Sequence, residues 1–287
     1  MRRIILFGKG GIGKSTLCSG LASVGASRDL RVLQVGCDPK HDSTLAHHRG
    51  EPVPTVMQEF LRLVGRMGPE DLQRLIVSTP TGVDVIETGG PEPGTGCAGR
   101  AVSLVLEMVR ESMELERTYD LAFFDVLGDV VCGGFATPLR EDIPSDVFLI
   151  TSAEYMALYA ANNIARGVDN LSDIGQARVA GIIGNKVRSP EELRLLERFA
   201  EALQTRLVGH LPFSEEVVLS ELEGEPLFRS GEGATGEASG ALVTIFEAIA
   251  DEAALERIVP TPLSDVELRA LFQEHARAAR SGSQRGS

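Results

Sequence analysis

The chain has 287 residues, 43% hydrophobic and 24% charged, with 28 Lys and Arg set against 41 Asp and Glu. That content can bury a sizeable core, which excludes wholesale disorder, and the 31 glycines follow no G-x-y period, which excludes a collagen-like rod. A formal charge of -13, no tryptophan and 5% aromatics argue against a nucleic-acid track, and no apolar run reaches the roughly 18 residues that span a bilayer.

In chain order, residues 3–7 read as a short buried strand, 8–13 as a glycine loop and 15–26 as a helix with Leu17, Leu21 and Val24 at helical spacing. Met1-Arg2-Arg3 leads straight into Ile4–Phe7 and then glycines, where a secretory leader would stay apolar, so a cytoplasmic protein is expected. A strand over 31–35 completes a first βαβ unit. Helices are predicted over 55–64, 69–75, 102–113, 154–168 and 190–205. Strands are predicted over 83–87, 121–124, 147–151, 179–184 and 206–210. Residues 223–240 are polar and glycine-rich, and helical periodicity resumes over 241–258 and 264–279. Alternating strands and helices predict an α/β protein with a mostly parallel sheet covered by helices on both faces. The division expected is one main domain over 1–222 and a helical extension over 223–287.

Gly8-Lys9-Gly10-Gly11-Ile12-Gly13-Lys14-Ser15 matches G-x-x-x-x-G-K-[ST], after a strand and before a helix, as the phosphate-binding loop requires. Glycines let backbone N–H groups converge on phosphate, and the helix N-terminus adds its positive end. Lys14 is placed to reach the β/γ oxygens and Ser15 to ligate Mg²⁺. On the residues alone, Lys9 is either a solvated lysine or one that reaches the phosphates of a second subunit. Asp38 and Asp42 follow the second strand, where they either serve the nucleotide or cap a turn. Asp125 ends Leu121-Ala122-Phe123-Phe124, four apolar residues before an acid, the pattern that holds magnesium. His41, His47 and His48 have no thiolate set beside them, so structural zinc is not expected.

Four cysteines are too few for a disulfide scaffold. Cys97 and Cys132 each sit among glycines, in Gly94-Thr95-Gly96-Cys97-Ala98-Gly99-Arg100 and Val131-Cys132-Gly133-Gly134. They are either two buried structural thiols or half of a four-thiolate set completed across a two-fold axis. Cys18 and Cys37 read as core.

With these motifs the chain resembles the nitrogenase iron protein (dinitrogenase reductase) family, which includes the reductase components of dark-operative protochlorophyllide reductase and related nitrogenase-like systems. The resemblance is carried by residues 8–15, 36–44, 89–100 and 124–135 and by Met156-Ala157-Leu158-Tyr159-Ala160-Ala161-Asn162-Asn163-Ile164, and it runs from residue 3 to about residue 215. It implies a P-loop NTPase fold and a homodimer with one [4Fe–4S] cluster between the subunits, held by Cys97 and Cys132 of each. It implies MgATP in each subunit, a heterotetrameric catalytic partner that receives single electrons, and a low-potential ferredoxin or flavodoxin as donor. The nucleotide-binding set it implies is Gly8, Lys9, Gly10, Gly11, Ile12, Gly13, Lys14, Ser15, Thr16, Lys40, Asp42, Asn185 and Pro212. Lys9 and Lys14 would act on phosphate, Lys9 across the interface. Asp38 would activate water, Asp125 would sense nucleotide, Asp129 would couple hydrolysis at the interface, and Arg100 would occupy the docking position.

The subfamily signature is mixed. His41 in residues 36–44 looks like the pigment-biosynthesis branch, whereas 97–100 and 160–163 look like nitrogenase reductase. Ser214 stands where an aspartate is expected two residues after Pro212, and Ala46-His47-His48-Arg49-Gly50 and the segment beyond Glu223 are atypical. Dinitrogen, methylthio-alkanes and tetrapyrroles are therefore all open as the partner's substrate. A ParA/MinD-like positioning ATPase shares the loop with Lys9 but has no use for the two glycine-set cysteines. A cluster-assembly ATPase would carry a C-x-x-C pair, absent here.

Overall fold

The computed structural model describes residues 1–90, 98–126, 128, 139 and 145–283. One eight-stranded sheet organises them: β1 (Arg2–Phe7), β2 (Val32–Cys37), β3 (Val77–Ser78), β4 (Val83–Glu87), β5 (Leu121–Val126), β6 (Ser145–Thr151), β7 (Ala177–Val187) and β8 (Leu207–Pro212). The strand order is β3-β4-β2-β5-β1-β6-β7-β8. Every pairing is parallel except β3 with β4. The helices are α1 (Lys14–Ala26), α2 (Val56–Arg62), α3 (Pro69–Arg74), α4 (Ala98–Glu111), α5 (Met113–Thr118), α6 (Tyr155–Leu171), α7 (Pro190–Ala202), α8 (Glu215–Glu223), α9 (Glu237–Ala250) and α10 (Asp265–Ser283).

The central strand β1 shows why helices must cover both faces. Ile4 and Leu6 join one apolar cluster with Leu17 and Leu21 of α1 and Leu242 and Phe246 of α9. Ile5 and Phe7 point the other way, into a cluster with Val105 of α4, Leu158 of α6, Leu196 and Phe199 of α7 and Leu268 of α10. A strand buried on both sides has no polar alternation to show, which is how residues 3–7 read.

Several elements differ from the sequence expectations. The helix expected over 102–113 starts at Ala98, ends at Glu111 and is followed by a separate α5, whose first turn is capped by the Ser112 hydroxyl accepting from the Leu115 N–H at 3.3 Å. The helix expected over 241–258 spans Glu237–Ala250 instead. Beyond it Ile258 and Val179 exchange two backbone hydrogen bonds of 3.0 Å, which draws the chain into an extended bridge and forbids a helix there. β3 and α8 were not expected at all.

Candidate functional site

The carboxyl ends of the parallel strands meet at one edge, where an α/β sheet places its ligands. β1 delivers Gly8, β2 Asp38, β5 Asp125, β7 Asn185 and β8 Pro212 to that edge. The loop from Gly8 to Gly13 turns sharply because Gly11 (φ 73°) and Gly13 (φ 95°) take left-handed conformations that side chains disfavour. Gly13 is also the N-cap of α1, so the first N–H groups of that helix open onto the loop.

Lys14 begins α1 and is buried, its Nζ donating to the Lys9 carbonyl at 3.4 Å. Burial pushes its amine below the ordinary lysine range, and the nearby Asp125 and Asp38 carboxylates oppose that. Asp125 is buried at 4% exposure, and one of its oxygens, Oδ2, accepts from the Ser15 hydroxyl at 2.6 Å and from the Ser43 hydroxyl at 2.5 Å. Burial raises the Asp125 carboxyl, opposed by the Lys14 amine and the two hydroxyls. The structure thus joins Lys14, Ser15 and Asp125 into one cluster of a desolvated cation, a desolvated acid and a hydroxyl at a helix N-terminus.

Asp38 accepts at Oδ1 from the Lys40 N–H at 2.9 Å, an Asx turn that brings the chain back toward Asp42 and Ser43. Asp42, Ser43, Ser15, Thr16, Ser19 and Glu221 line one recess of about 200 Å³ beside the loop. Asn185 braces the loop from β7. Its Nδ2 donates to the Ile12 carbonyl at 2.6 Å, its Oδ1 accepts from the Lys186 N–H at 2.8 Å, and its amide occupies the space a Cβ at Gly13 would need. Pro212 pairs in register with Val187 at the end of β7. A larger cavity of about 490 Å³, lined among others by His48, Arg49, Thr81 and Arg229, shares no residue with the phosphate loop.

The structure adds residues that sequence reasoning missed. Lys186, at a left-handed φ of 58°, donates from Nζ to the Gly11 carbonyl at 2.8 Å. Glu221 of α8 accepts from the Thr16 hydroxyl at 2.8 Å. Glu87 of β4, fully buried, accepts at Oε1 from both the N–H and the hydroxyl of Thr44, each at 2.8 Å. None of these belongs to a local motif; Ser43 and Thr44 at least lie inside the 36–44 segment already singled out. His47, far from being a metal ligand, has both ring nitrogens in hydrogen bonds, to Thr81 Oγ1 at 2.8 Å and to Gln34 Oε1 at 2.9 Å. Cys18 and Cys37 are buried core thiols, raised by burial above the ordinary thiol range.

Cys97, Cys132 and Asp129 lie outside the described residues, but the glycines that lead toward the two cysteines do not. A Cβ at Gly90 would press on Pro39 (2.5 Å from its Cβ), next to Asp38. A Cβ at Gly128 would overlap the Gly8 carbonyl and come within 3.0 Å of Lys9 Cα. Gly128 is therefore in direct backbone contact with the loop at Gly8 and Lys9, and Gly90 lies against Pro39.

Glu87 and His47 give the fold opposite pH dependences. Burial pushes the Glu87 carboxyl up to about 8, against the two Thr44 hydrogen bonds. The folded state thus keeps a proton that the unfolded chain has lost, and stability falls as pH rises from about 4.5 toward 8. Burial pushes His47 down to about 3, so stability falls as pH drops below about 6.5. Between those two limits the slopes cancel, and above about 6.5 only that of Glu87 remains. Glu87→Gln, which keeps the acceptor toward Thr44, should therefore gain stability relative to the parent as pH rises, by up to ~1.4 kcal/mol per pH unit. Urea unfolding at pH 5.5, 7 and 8 measures this, and a constant difference across the three would contradict it.

Comparison with known proteins matches this geometry. The family model for 4Fe–4S iron sulfur cluster binding proteins, NifH/frxC family, matches residues 2–278. Nitrogenase iron protein 2 of Methanothermobacter thermautotrophicus is 44% identical over 223 residues, 78% of this chain and 80% of its own length. The nitrogenase iron protein of Methanospirillum hungatei JF-1 is 35% identical over 281 residues, 96% of each chain. Among solved structures, the MinD cell division protein of Aquifex aeolicus aligns with a TM-score of 0.66 at 16% identity, covering 88% of this chain and 98% of that one. The Pyrococcus furiosus cell division ATPase MinD gives 0.66 at 21%, covering 87% and 99%. Those two likenesses establish the P-loop NTPase fold alone. The match over residues 2–278 and the identity to the two iron proteins go further: the chain belongs to the NifH/frxC family of 4Fe–4S iron sulfur cluster binding proteins.

Proposed function

We propose that the protein is an ATP-driven iron–sulfur reductase, a homodimer that passes single low-potential electrons to a separate nitrogenase or nitrogenase-like catalytic component. The observation that carries this reading is the pair of close contacts at Gly90 and Gly128. The segment toward Cys97 departs beside Asp38, and the segment toward Cys132 departs beside Gly8 and Lys9. The Gly128 contact is backbone to backbone and the Gly90 contact is with the ring and Cα of Pro39, so a change in either loop is passed toward the cysteine segments.

Within this reading, Lys14 and the helix N-terminus hold the phosphates, and Ser15 is the magnesium ligand, with Asp125 accepting its proton. The buried cation, the buried acid and the left-handed glycine cradle fit MgATP. Asp38 orients the attacking water, Asp42 supports the magnesium shell and Lys40 lies alongside. Asn185 and Pro212 frame the base, and Thr16 with Glu221 closes the recess. Lys9 reaches the partner subunit's phosphates and Asp129 couples hydrolysis to the interface. The [4Fe–4S] cluster, one per homodimer on four thiolates, supplies a one-electron couple. A reduced ferredoxin or flavodoxin loses one electron, the catalytic component gains it, and ATP and water become ADP and phosphate. The partner's substrate is dinitrogen or, in a nitrogenase-like system, a methylthio-alkane or a tetrapyrrole. The working compartment is the cytoplasm; among the described residues no helix is long and apolar enough to cross a membrane.

Iron analysis of anaerobically purified dimer tests the proposal. About four irons per dimer are expected, with the cluster abolished by Cys97→Ala or Cys132→Ala and retained in Cys18→Ala. The fold shared with MinD supports a second reading, a positioning ATPase without redox chemistry. A colourless, iron-free dimer that still binds MgATP would favour it.

A further inference from the structure

Gln34 sits in the middle of β2, fully buried, where its neighbours Leu33 and Val35 are apolar core. A buried amide in such a strand is costly unless every polar atom is partnered. Its Nε2 donates to the Ser43 carbonyl at 3.0 Å, and the Ser19 hydroxyl lies 3.2 Å away. A carbonyl only accepts, so this contact fixes the amide orientation and leaves Oε1 as an acceptor. His47 Nε2, 2.9 Å from that Oε1, must then carry the ring proton. His47 Nδ1 is left as an acceptor facing the Thr81 hydroxyl, 2.8 Å away, and that hydroxyl also lies 2.8 Å from Thr79 Oγ1, so its one proton is shared between the two. The imidazole is 1% exposed and neutral. A directional chain thus runs from His47 through Gln34 to the main chain of Ser43, and Thr81, in the turn before β4, abuts its far end.

Ser43 is held from its other side as well, because its hydroxyl donates to Asp125 Oδ2, the oxygen that also accepts from Ser15. It ends the segment that carries Asp38, Lys40 and Asp42, just before Thr44, which Glu87 holds. We propose that Gln34 and His47 are positioning residues of the nucleotide site, which lock the Ser43 carbonyl so that the Asp38–Ser43 segment keeps one geometry against Asp125 and Ser15. Neither touches nucleotide. They act by adding a further anchor at the Ser43 carbonyl, beside the longer 3.4 Å contact from the Ser19 hydroxyl and the Thr44–Glu87 hydrogen bonds, so that the Ser43–Asp125 hydrogen bond acts on a fixed backbone. This inference rests on the ATP-site reading above.

The test uses the full-length homodimer. Gln34→Leu/His47→Leu replaces both partners with apolar side chains, which leaves neither member buried with an unpaired polar atom and is the substitution expected to preserve the fold. MgATP affinity, read with a fluorescent ATP analogue, should stay within about threefold of the parent, since Lys14 and Ser15 are untouched. Hydrogen exchange of the peptide covering 38–44 with MgATP bound should rise about tenfold, the effect of one lost net hydrogen bond. Exchange in β1 and β5 should not change. His47→Gln, which can still donate to Gln34, should keep the parental exchange rate, and nitrogen NMR of the parent should show the His47 proton on Nε2. Parental exchange at 38–44 in the double variant, or a proton on Nδ1, would overturn the inference. If the double variant fails to fold, His47→Gln decides: exchange as fast as in His47→Leu would overturn the inference, and parental exchange would uphold it. A parent chain that binds no MgATP while its His47 proton sits on Nε2 would instead fault the ATP-site reading.

Discussion

Lys14→Gln should reduce MgATP affinity by about two orders of magnitude, the equivalent of one charge-assisted contact to phosphate of about 3 kcal/mol. The Lys14 amine is buried at the start of α1 and flanked by Asp125 and Asp38, a position that neither nearby lysine occupies. Lys40 lies in the exposed turn after β2, and Lys186 is committed to the Gly11 carbonyl. Losing the cation also removes the strongest attraction that keeps Asp125 ionised, so its carboxyl should rise further. Affinity in the variant should accordingly weaken more toward acidic pH than in the parent. Calorimetric titration with MgATP at pH 6, 7 and 8 measures both effects, and parental affinity at all three would contradict the roles given to Lys14 and Asp125.

Gly128→Ala should break communication between nucleotide and cluster while leaving the individual sites in place. The added methyl has nowhere to go: it would overlap the Gly8 carbonyl, lie 2.6 Å from its carbon and touch the Cα of Lys9. All three are backbone atoms, so no side chain can rotate aside, and overpacking of this kind costs ~1–3 kcal/mol or a displaced segment. Iron release to a chelator from the reduced dimer is the readout. The parent should release iron faster with MgATP than with MgADP or no nucleotide, because the phosphate loop and the Cys132 segment share a contact. Gly128→Ala should give one rate in all three conditions, with four irons per dimer at the start. A parental response would show that the contact at Gly8 is not the route.

What could be read from sequence divides according to how local the cause is. The phosphate loop and the acid near the end of β5 depend on residues a few positions apart, and Gly8–Ser15 and Asp125 fall in the expected strand–loop–helix and strand-end contexts. α8 escaped notice because much of its apolar content faces outward, with Val218, Leu219 and Leu222 exposed. α9 begins four residues before its periodicity suggests because the Glu216 carboxylate, from the neighbouring helix, accepts from the Ala238 and Ser239 N–H groups at 3.0 and 3.2 Å. That is an N-cap supplied in space, invisible to any reading along the chain. β3 is two residues long and exists through its antiparallel pairing with β4. Gln34 and His47 look like misplaced polar residues until the fold brings Ser43 and Thr81 to them.

The position of β1 at the centre of the sheet has a consequence for synthesis. It precedes the other described strands in the chain, yet its neighbours are β5 and β6, aligned through Leu121 and Asp146. At roughly 5–20 residues per second a ribosome takes on the order of ten seconds to supply them. Throughout that interval the Ile4–Phe7 run is an unpaired apolar edge on a nascent chain, the kind of surface that invites aggregation or a chaperone. The phosphate loop waits longer still, since Asn185, which braces the Ile12 carbonyl, emerges 173 residues after it. Nucleotide therefore cannot template early folding of this chain. The loop is braced only once β7 has been made.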